Sequence, residues 1–363
     1  MKACEICRLI SLASCALQLL SGHLAAPASA ETLPPISADY AGVFTLDASF
    51  AAYSATSRRV DIFNRNVNAL KKKASFMVMG QVGALTETPL GIAVATGQGR
   101  GDLTAPIRIT LYDADGNNPR VVFEQGSERS QVSSLKWVDG KLWATYFESK
   151  FITRTGCFLP STKFPWAFTE LKMMRLGDAV DVLGDSVIIG RPYGDVQGQD
   201  GDVRLLNGKE EIELPSYRGV RSVLAFNGPS SPEFVIGDGW HQNYGQNAQA
   251  RISWLKKDNE SGKYALQLLD HDASQYNFSK LKSVVLGGST FIAALGNKQL
   301  IVYGPRPAWN RSIVYTRANE ENYFDFAPLG TDSNGAWIVV LDNGLHLVHF
   351  DNDKVTKVTT SPR

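Results

Sequence analysis

Ile188 to Gly208 reads IIGRPYGDVQGQDGDVRLLNG, and Val235 to Leu255 reads VIGDGWHQNYGQNAQARISWL. Both run apolar strand, glycine, aromatic residue, polar loop, then a second strand carrying an arginine. A weaker copy, LIVYGPRPAWNRSIVYT, spans Leu300 to Thr316. The copies recur at intervals of about 45 to 65 residues, the period of a propeller blade rather than of a helical solenoid. That repeat decides the fold class: all-β, a ring of blades forming a β-propeller.

Working outward, short runs rich in Val, Ile, Leu, Trp and Tyr alternate with Gly, Asn, Asp and Pro clusters along most of the chain. Asp115-Gly116, Asp139-Gly140, Asn207-Gly208 and Asn343-Gly344 sit between apolar runs. Such pairs tolerate the positive φ of tight primed turns. Blade-like units begin near Gly83, Val132, Ala179, Val220, Leu281 and Phe326. The unit that begins near Val132 carries a long excursion to about Leu171, and Ala41–Tyr53 adds strands that close the ring beside the C-terminal ones. The expectation is six or seven blades. Seven is preferred, because about 45 residues per blade then fits the length. One helix is predicted over Ser57–Lys73, where Val60, Phe63, Val67 and Leu70 follow a helical spacing.

The N-terminus reads as an export signal. Lys2 and Arg8 give a positive start, Leu9 to Leu20 is an apolar stretch too short to span a bilayer, and Ala28-Ser29-Ala30 is a small-residue cleavage site. Residues 1–30 are therefore a signal peptide, 31–40 a linker with Pro34-Pro35, and 41–363 one propeller domain. The expected location is the periplasm or the exterior. Leu12-Ala13-Ser14-Cys15 offers the alternative of a lipoprotein anchored through Cys15. No later segment is long and apolar enough to predict a membrane span. Three of the four cysteines lie in the signal, which leaves Cys157 alone and the fold dependent on core burial. The chain has 37 basic and 36 acidic residues. This near-neutral balance argues against nucleic acid and against a polybasic membrane surface.

Ile188-Ile189-Gly190-Arg191-Pro192-Tyr193 followed by Val203-Arg204-Leu205, with the Val235–Leu255 counterpart, resembles the FG-GAP/VCBS class of repeats found in integrin α-chains. The resemblance covers two good repeats and one weak one. It implies a seven-bladed extracytoplasmic propeller that binds protein or carbohydrate. The class carries a calcium loop of alternating aspartates between its first two strands. Here the corresponding turns, such as Asn227 to Pro232 and Gly287-Gly288-Ser289, lack the carboxylates a hard cation needs. No cofactor or metal is expected.

Long connections are expected together on one face: Thr96 to Asp102, Glu148 to Leu171, Arg191 to Asp202, Gly237 to Ala250 and Gly304 to Arg311, opposite short hairpins. Asp238, Trp240, His241, Asn243 and Tyr244 make the sharpest ligand-binding candidate. They offer aromatic faces, an imidazole, a carboxylate and an amide, a set suited to a sugar or a peptide. Arg306, Trp309 and Arg311 form a second cluster for carboxylates or cation–π contact, with Tyr193 near the channel. The leading reading is a carbohydrate- or protein-binding propeller. The alternative is a hydrolase or lyase acting on a polymer with Asp238, His241 and Arg306 at the channel mouth. No nucleophile motif, phosphate loop or dinucleotide fingerprint occurs.

Overall fold

In the computed structural model each blade is read from one uninterrupted stretch of chain. Blade 1 is β1 (Tyr40–Thr45), β2 (Ser49–Ser54), β3 (Arg59–Asn64) and β4 (Lys72–Met77). Blade 2 is β5 (Gln81–Thr88), β6 (Gly91–Gly97), β7 (Ile107–Tyr112) and β8 (Arg120–Gln125). Blade 3 is β9 (Val132–Val138), β10 (Lys141–Phe147), β11 (Ile152–Phe158) and β12 (Phe168–Arg175). Blade 4 is β13 (Ala179–Leu183), β14 (Ser186–Gly190), β15 (Gly201–Asn207) and β16 (Glu210–Tyr217). Blade 5 is β17 (Ser222–Asn227), β18 (Pro232–Asp238), β19 (Ala250–Lys257) and β20 (Tyr264–Asp272). Blade 6 is β21 (Phe278–Leu286), β22 (Ser289–Gly296), β23 (Gln299–Tyr303) and β24 (Arg311–Thr316). Blade 7 is β25 (Phe324–Asp332), β26 (Gly335–Asp342), β27 (Leu345–Asp351) and β28 (Lys354–Thr360). The structure describes residues 39–47, 49–64, 70–97, 106–126, 131–148, 152–175, 177, 179–192, 201–208, 210–217, 219–239, 249–258, 260–272, 274–320, 322–332, 335–351 and 354–360.

Every sheet is antiparallel with its strands in chain order. The first strands neighbour one another around the ring, and β1 lies against β25, which closes it. No strand is exchanged between the two ends of the described chain. The seven-blade expectation therefore holds, and closing the ring covers the first strand of every blade and leaves only the fourth strands as edges.

The core is divided among the blade interfaces. Seven buried clusters lie one per interface; that between blades 7 and 1, for example, joins Val43, Phe50 and Phe63 to Trp337, Val339 and Leu347. A blade is thus covered on both faces, and its middle strands read as continuous apolar runs instead of alternating ones. In β26 all eight residues are buried. The Asp139-Gly140 and Asn343-Gly344 turns take positive φ at both residues, as their sequence predicts.

Two expectations fail. The helix over Ser57–Lys73 is replaced by β3 and β4, separated by residues 65–71. Val60 belongs to the core between blades 1 and 2, whereas Phe63 stacks on Phe50 in the core between blades 7 and 1. The strand alternates normally, with Val60 and Ile62 facing one interface and Phe63 the other. Because both faces are buried, its apolar residues also fall three apart, which imitates a helical face. The excursion from Glu148 to Leu171 likewise contains a full strand, β11, and the start of β12.

Candidate functional site

Strand alternation fixes where the connections emerge. In each blade the first-to-second and third-to-fourth connections share one face. The second-to-third connections share the other with the blade-to-blade crossovers. On this crossover face the long second-to-third connections are residues 98–106, 191–200 and 239–249, from blades 2, 4 and 5. The stretch 304–310 joins β23 to β24 and so belongs to the opposite face. The opposite face is not uniformly short either, because third-to-fourth connections of six to nine residues occur in blades 1, 2, 3, 5 and 6.

Two of the long crossover-face connections rise from charged bases. Arg191 and Asp202, both buried, form a forked ion pair, and the Arg191 amide donates to the Asp202 carbonyl at 2.9 Å. One blade on, Asp238 and Arg251 are cross-strand partners; Arg251 Nε donates to Oδ1 at 2.9 Å and Nη2 to Oδ2 at 2.6 Å. Asp238 is only 1% exposed. Its carboxylate anchors the connection. Gly239 follows because a Cβ there would come within 2.1 Å of the Tyr276 carbonyl in the next crossover. Backbone approach, not ligand chemistry, accounts for this glycine of the quoted repeat.

The second predicted cluster sits elsewhere. Arg306 grips Glu233 with Nε at 2.9 Å and Nη2 at 2.7 Å, and the carboxylate holds the guanidinium firmly charged. Trp254 donates its indole N–H to the same Glu233 at 3.0 Å. Trp309 is buried edge-on against Trp254, ring centroids 5.4 Å apart, and packs on Phe226. This is a packing core between blades 5 and 6. Glu233 and Asp238 lie near opposite ends of β18, about 16 Å apart by strand rise. Arg306 and Asp238 are therefore not brought together. Arg311 pairs with Asp270 at 3.0 Å and Asp272 at 2.6 Å. Burial pushes the Asp272 carboxyl up, but bonds from Ser274 and Arg311 outweigh it and hold it below its ordinary value. Tyr193, Trp240, His241, Asn243 and Tyr244 lie outside the described residues.

The channel along the ring axis carries residues that the sequence reading passed over. It encloses about 500 Å³ and is walled by the innermost strands. Lys136 on β9 donates to Asp181 on β13 at 2.6 Å, and the other Asp181 oxygen accepts the Ala225 amide of β17 at 2.8 Å. Lys280 on β21 donates to Asp325 on β25 at 2.7 Å, whose other oxygen accepts the Val43 amide of β1 at 2.9 Å. Each clasp thus ties three successive blades, and in each the lysine precedes its aspartate by 45 residues, one blade period. That spacing was available in the sequence. It was hidden because single charges inside short strands carry no local motif.

Lys282 projects into the same channel without a hydrogen bond or ion pair among the described residues. The residue is exposed to the channel, although protein crowds it closely enough to oppose its charge. Burial, then the neighbouring Lys280, pushes its pKa down to about 8. Among the described residues no group of three or more His, Cys, Asp or Glu side chains could hold a metal ion.

The fold defines the protein as a seven-bladed β-propeller, a rigid scaffold of the kind on which binding surfaces are built. Similar solved structures include hydrazine synthase of Kuenenia stuttgartiensis, with 11% identity and a TM-score of 0.62 over 90% of this chain and 99% of that one. The complex of KlAtg21 with the coiled-coil of AgAtg16 gives 9% identity and 0.58, covering 88% and 98%. The N-terminal domain of Nup159 gives 12% and 0.50, covering 85% and 88%. At these identities the likeness is one of fold alone. No protein-family model and no curated protein sequence matches the chain.

Proposed function

We propose that the protein is an exported propeller, periplasmic or secreted, that holds a carbohydrate or protein partner on its crossover face. The observation that carries this reading is the pair of ion-paired bases beneath the connections 191–200 and 239–249. A long polar, aromatic segment costs less entropy to order on a partner when its two ends are already fixed. Tyr193, Trp240, His241, Asn243 and Tyr244 belong to these segments, and the leader sequence through Ala30 supports export. The resemblance to FG-GAP/VCBS repeats agrees with both points. Arg306, Trp309 and Arg311 are assigned to the blade 5–6 interface and not to this surface.

The test is a glycan-array and purified-protein screen on the chain from Glu31 onward, followed by Trp240→Ala. Loss of a stacking anchor should weaken binding by about 1–3 kcal/mol with little change in melting temperature. A partner whose binding is indifferent to Trp240 and Tyr244 but abolished by changes on the opposite face would overturn the proposal.

A further inference from the structure

We propose that the central channel is a binding site for a small oxyanion, a carboxylate or phosphate group, held by the ammonium of Lys282 beside the two Lys–Asp clasps. This proposal is independent of the crossover-face reading, since it uses none of the same residues.

The charges lining the channel among the described residues are Lys136, Arg221, Lys280 and Lys282 against Asp181 and Asp325. Cations therefore exceed carboxylates. Both carboxylates are committed: each binds one clasp lysine, one amide of the following blade and the amide next to itself, from Val182 and Phe326 at 2.9 and 2.8 Å. Neither makes a hydrogen bond or ion pair with Lys282 among the described residues. The clasps do not need a lysine at that place either. Two residues beyond Lys136, where the second clasp has Lys282, the first clasp has Val138, packed on the core between blades 3 and 4. Lys282 is thus a charge that the architecture does not require.

Its surroundings make that charge costly. The surrounding protein opposes the charged form, Lys280 and Lys136 repel it, and Asp181 and Asp325 attract it less, which lowers its pKa to about 8. A bound anion would reverse this balance, because an opposite charge nearby favours the ammonium. The channel has the room: about 500 Å³ holds an oxyanion with its accompanying waters. Arg221, immediately before β17, also lines the channel, on its crossover-face side.

Calorimetric titration of the whole folded protein with inorganic phosphate and, separately, with succinate tests the idea. Saturable binding of either probe is expected near pH 7, weakening as pH rises through about 8 and Lys282 loses its proton. Lys282→Met should lose at least about tenfold in affinity, the scale of one charge-assisted hydrogen bond. Phosphate binding alone would identify a phosphoryl ligand, succinate alone a carboxylate, and both a general oxyanion site. In the wild type, acetylation of Lys282 followed by mass spectrometry should slow when the bound probe is present, a readout that does not depend on the variant folding. No binding of either probe at millimolar concentration would overturn the proposal. So would equal affinity in Lys282→Met, or Lys282 acetylation unaffected by a bound probe.

Discussion

Replacing Asp325 by alanine should loosen the ring at its closure. Asp325 is the point where blades 6, 7 and 1 meet, and its partner amide on Val43 is 282 residues away in sequence. The substitution strands the Lys280 ammonium on one side and the Val43 amide on the other. Hydrogen bonds to a charged group are worth about 1.5–3 kcal/mol each. The side chains of Lys280 and Asp325 are 23% and 19% exposed, so channel water can replace part of what is lost. Lys280 also keeps the Val43 carbonyl at 3.1 Å. The net cost should be about 2–4 kcal/mol, between that of an exposed and a fully buried pair. Asp325→Asn keeps the shape and a neutral acceptor, and should cost roughly half as much. Urea denaturation with an unchanged slope gives the global value. Hydrogen exchange at the Val43 amide gives the local one and should speed up in the alanine variant. Asp181→Ala, in the equivalent clasp, should fall within about 1 kcal/mol of Asp325→Ala, since the bonding is the same. A loss below about 0.5 kcal/mol, the range of an ordinary surface change, with Val43 exchange unaltered, would refute the clasp as a closing device.

Two further outcomes concern Trp309 and Lys282. Trp309→Ala should cost about 3–5 kcal/mol in chemical denaturation, because it empties the space against Trp254 and Phe226, and should leave crossover-face binding intact. Lys282→Met should stabilise the protein near neutral pH, measured as a shift in denaturation midpoint. The sign follows from the pKa, which falls on folding from 10.5 to about 8. Below pH 8 both states carry the proton and the wild type bears the full cost of the charge. Between 8 and 10.5 the folded state sheds the proton while the unfolded state keeps it, so wild-type stability rises and the advantage of methionine shrinks. A constant or widening advantage across that window would contradict the assignment.

What was legible in the sequence was the part governed by local backbone chemistry. The tight turns at Asp139-Gly140 and Asn343-Gly344 and the apolar runs of the middle strands carry their own signals. The first blade was harder, because β3 is buried on both faces and its apolar residues fall three apart as in a helix. The placement of Arg306 and Trp309 failed for another reason. The motif Gly304 to Arg311 looks like the second-to-third connections of blades 4 and 5, yet it follows a third strand, and one strand more or less moves a loop to the other end of the ring. The clasps were illegible since each joins single residues on three separate strands. Only the 45-residue recurrence of lysine and aspartate hints at them.

Because each blade is contiguous in sequence, the seam between β28 and β1 is one of seven comparable cuts. The six existing crossovers use only three to seven residues, from 78–80 to 317–323. A linker of that size between Thr360 and Tyr40, with a new opening made at any other crossover, would leave all strands and all blade interfaces in place. A ring sealed by a shared blade lacks this freedom, since cutting it elsewhere changes which blade is divided. Here a gene could be rotated, or a blade duplicated, with breakpoints confined to crossovers.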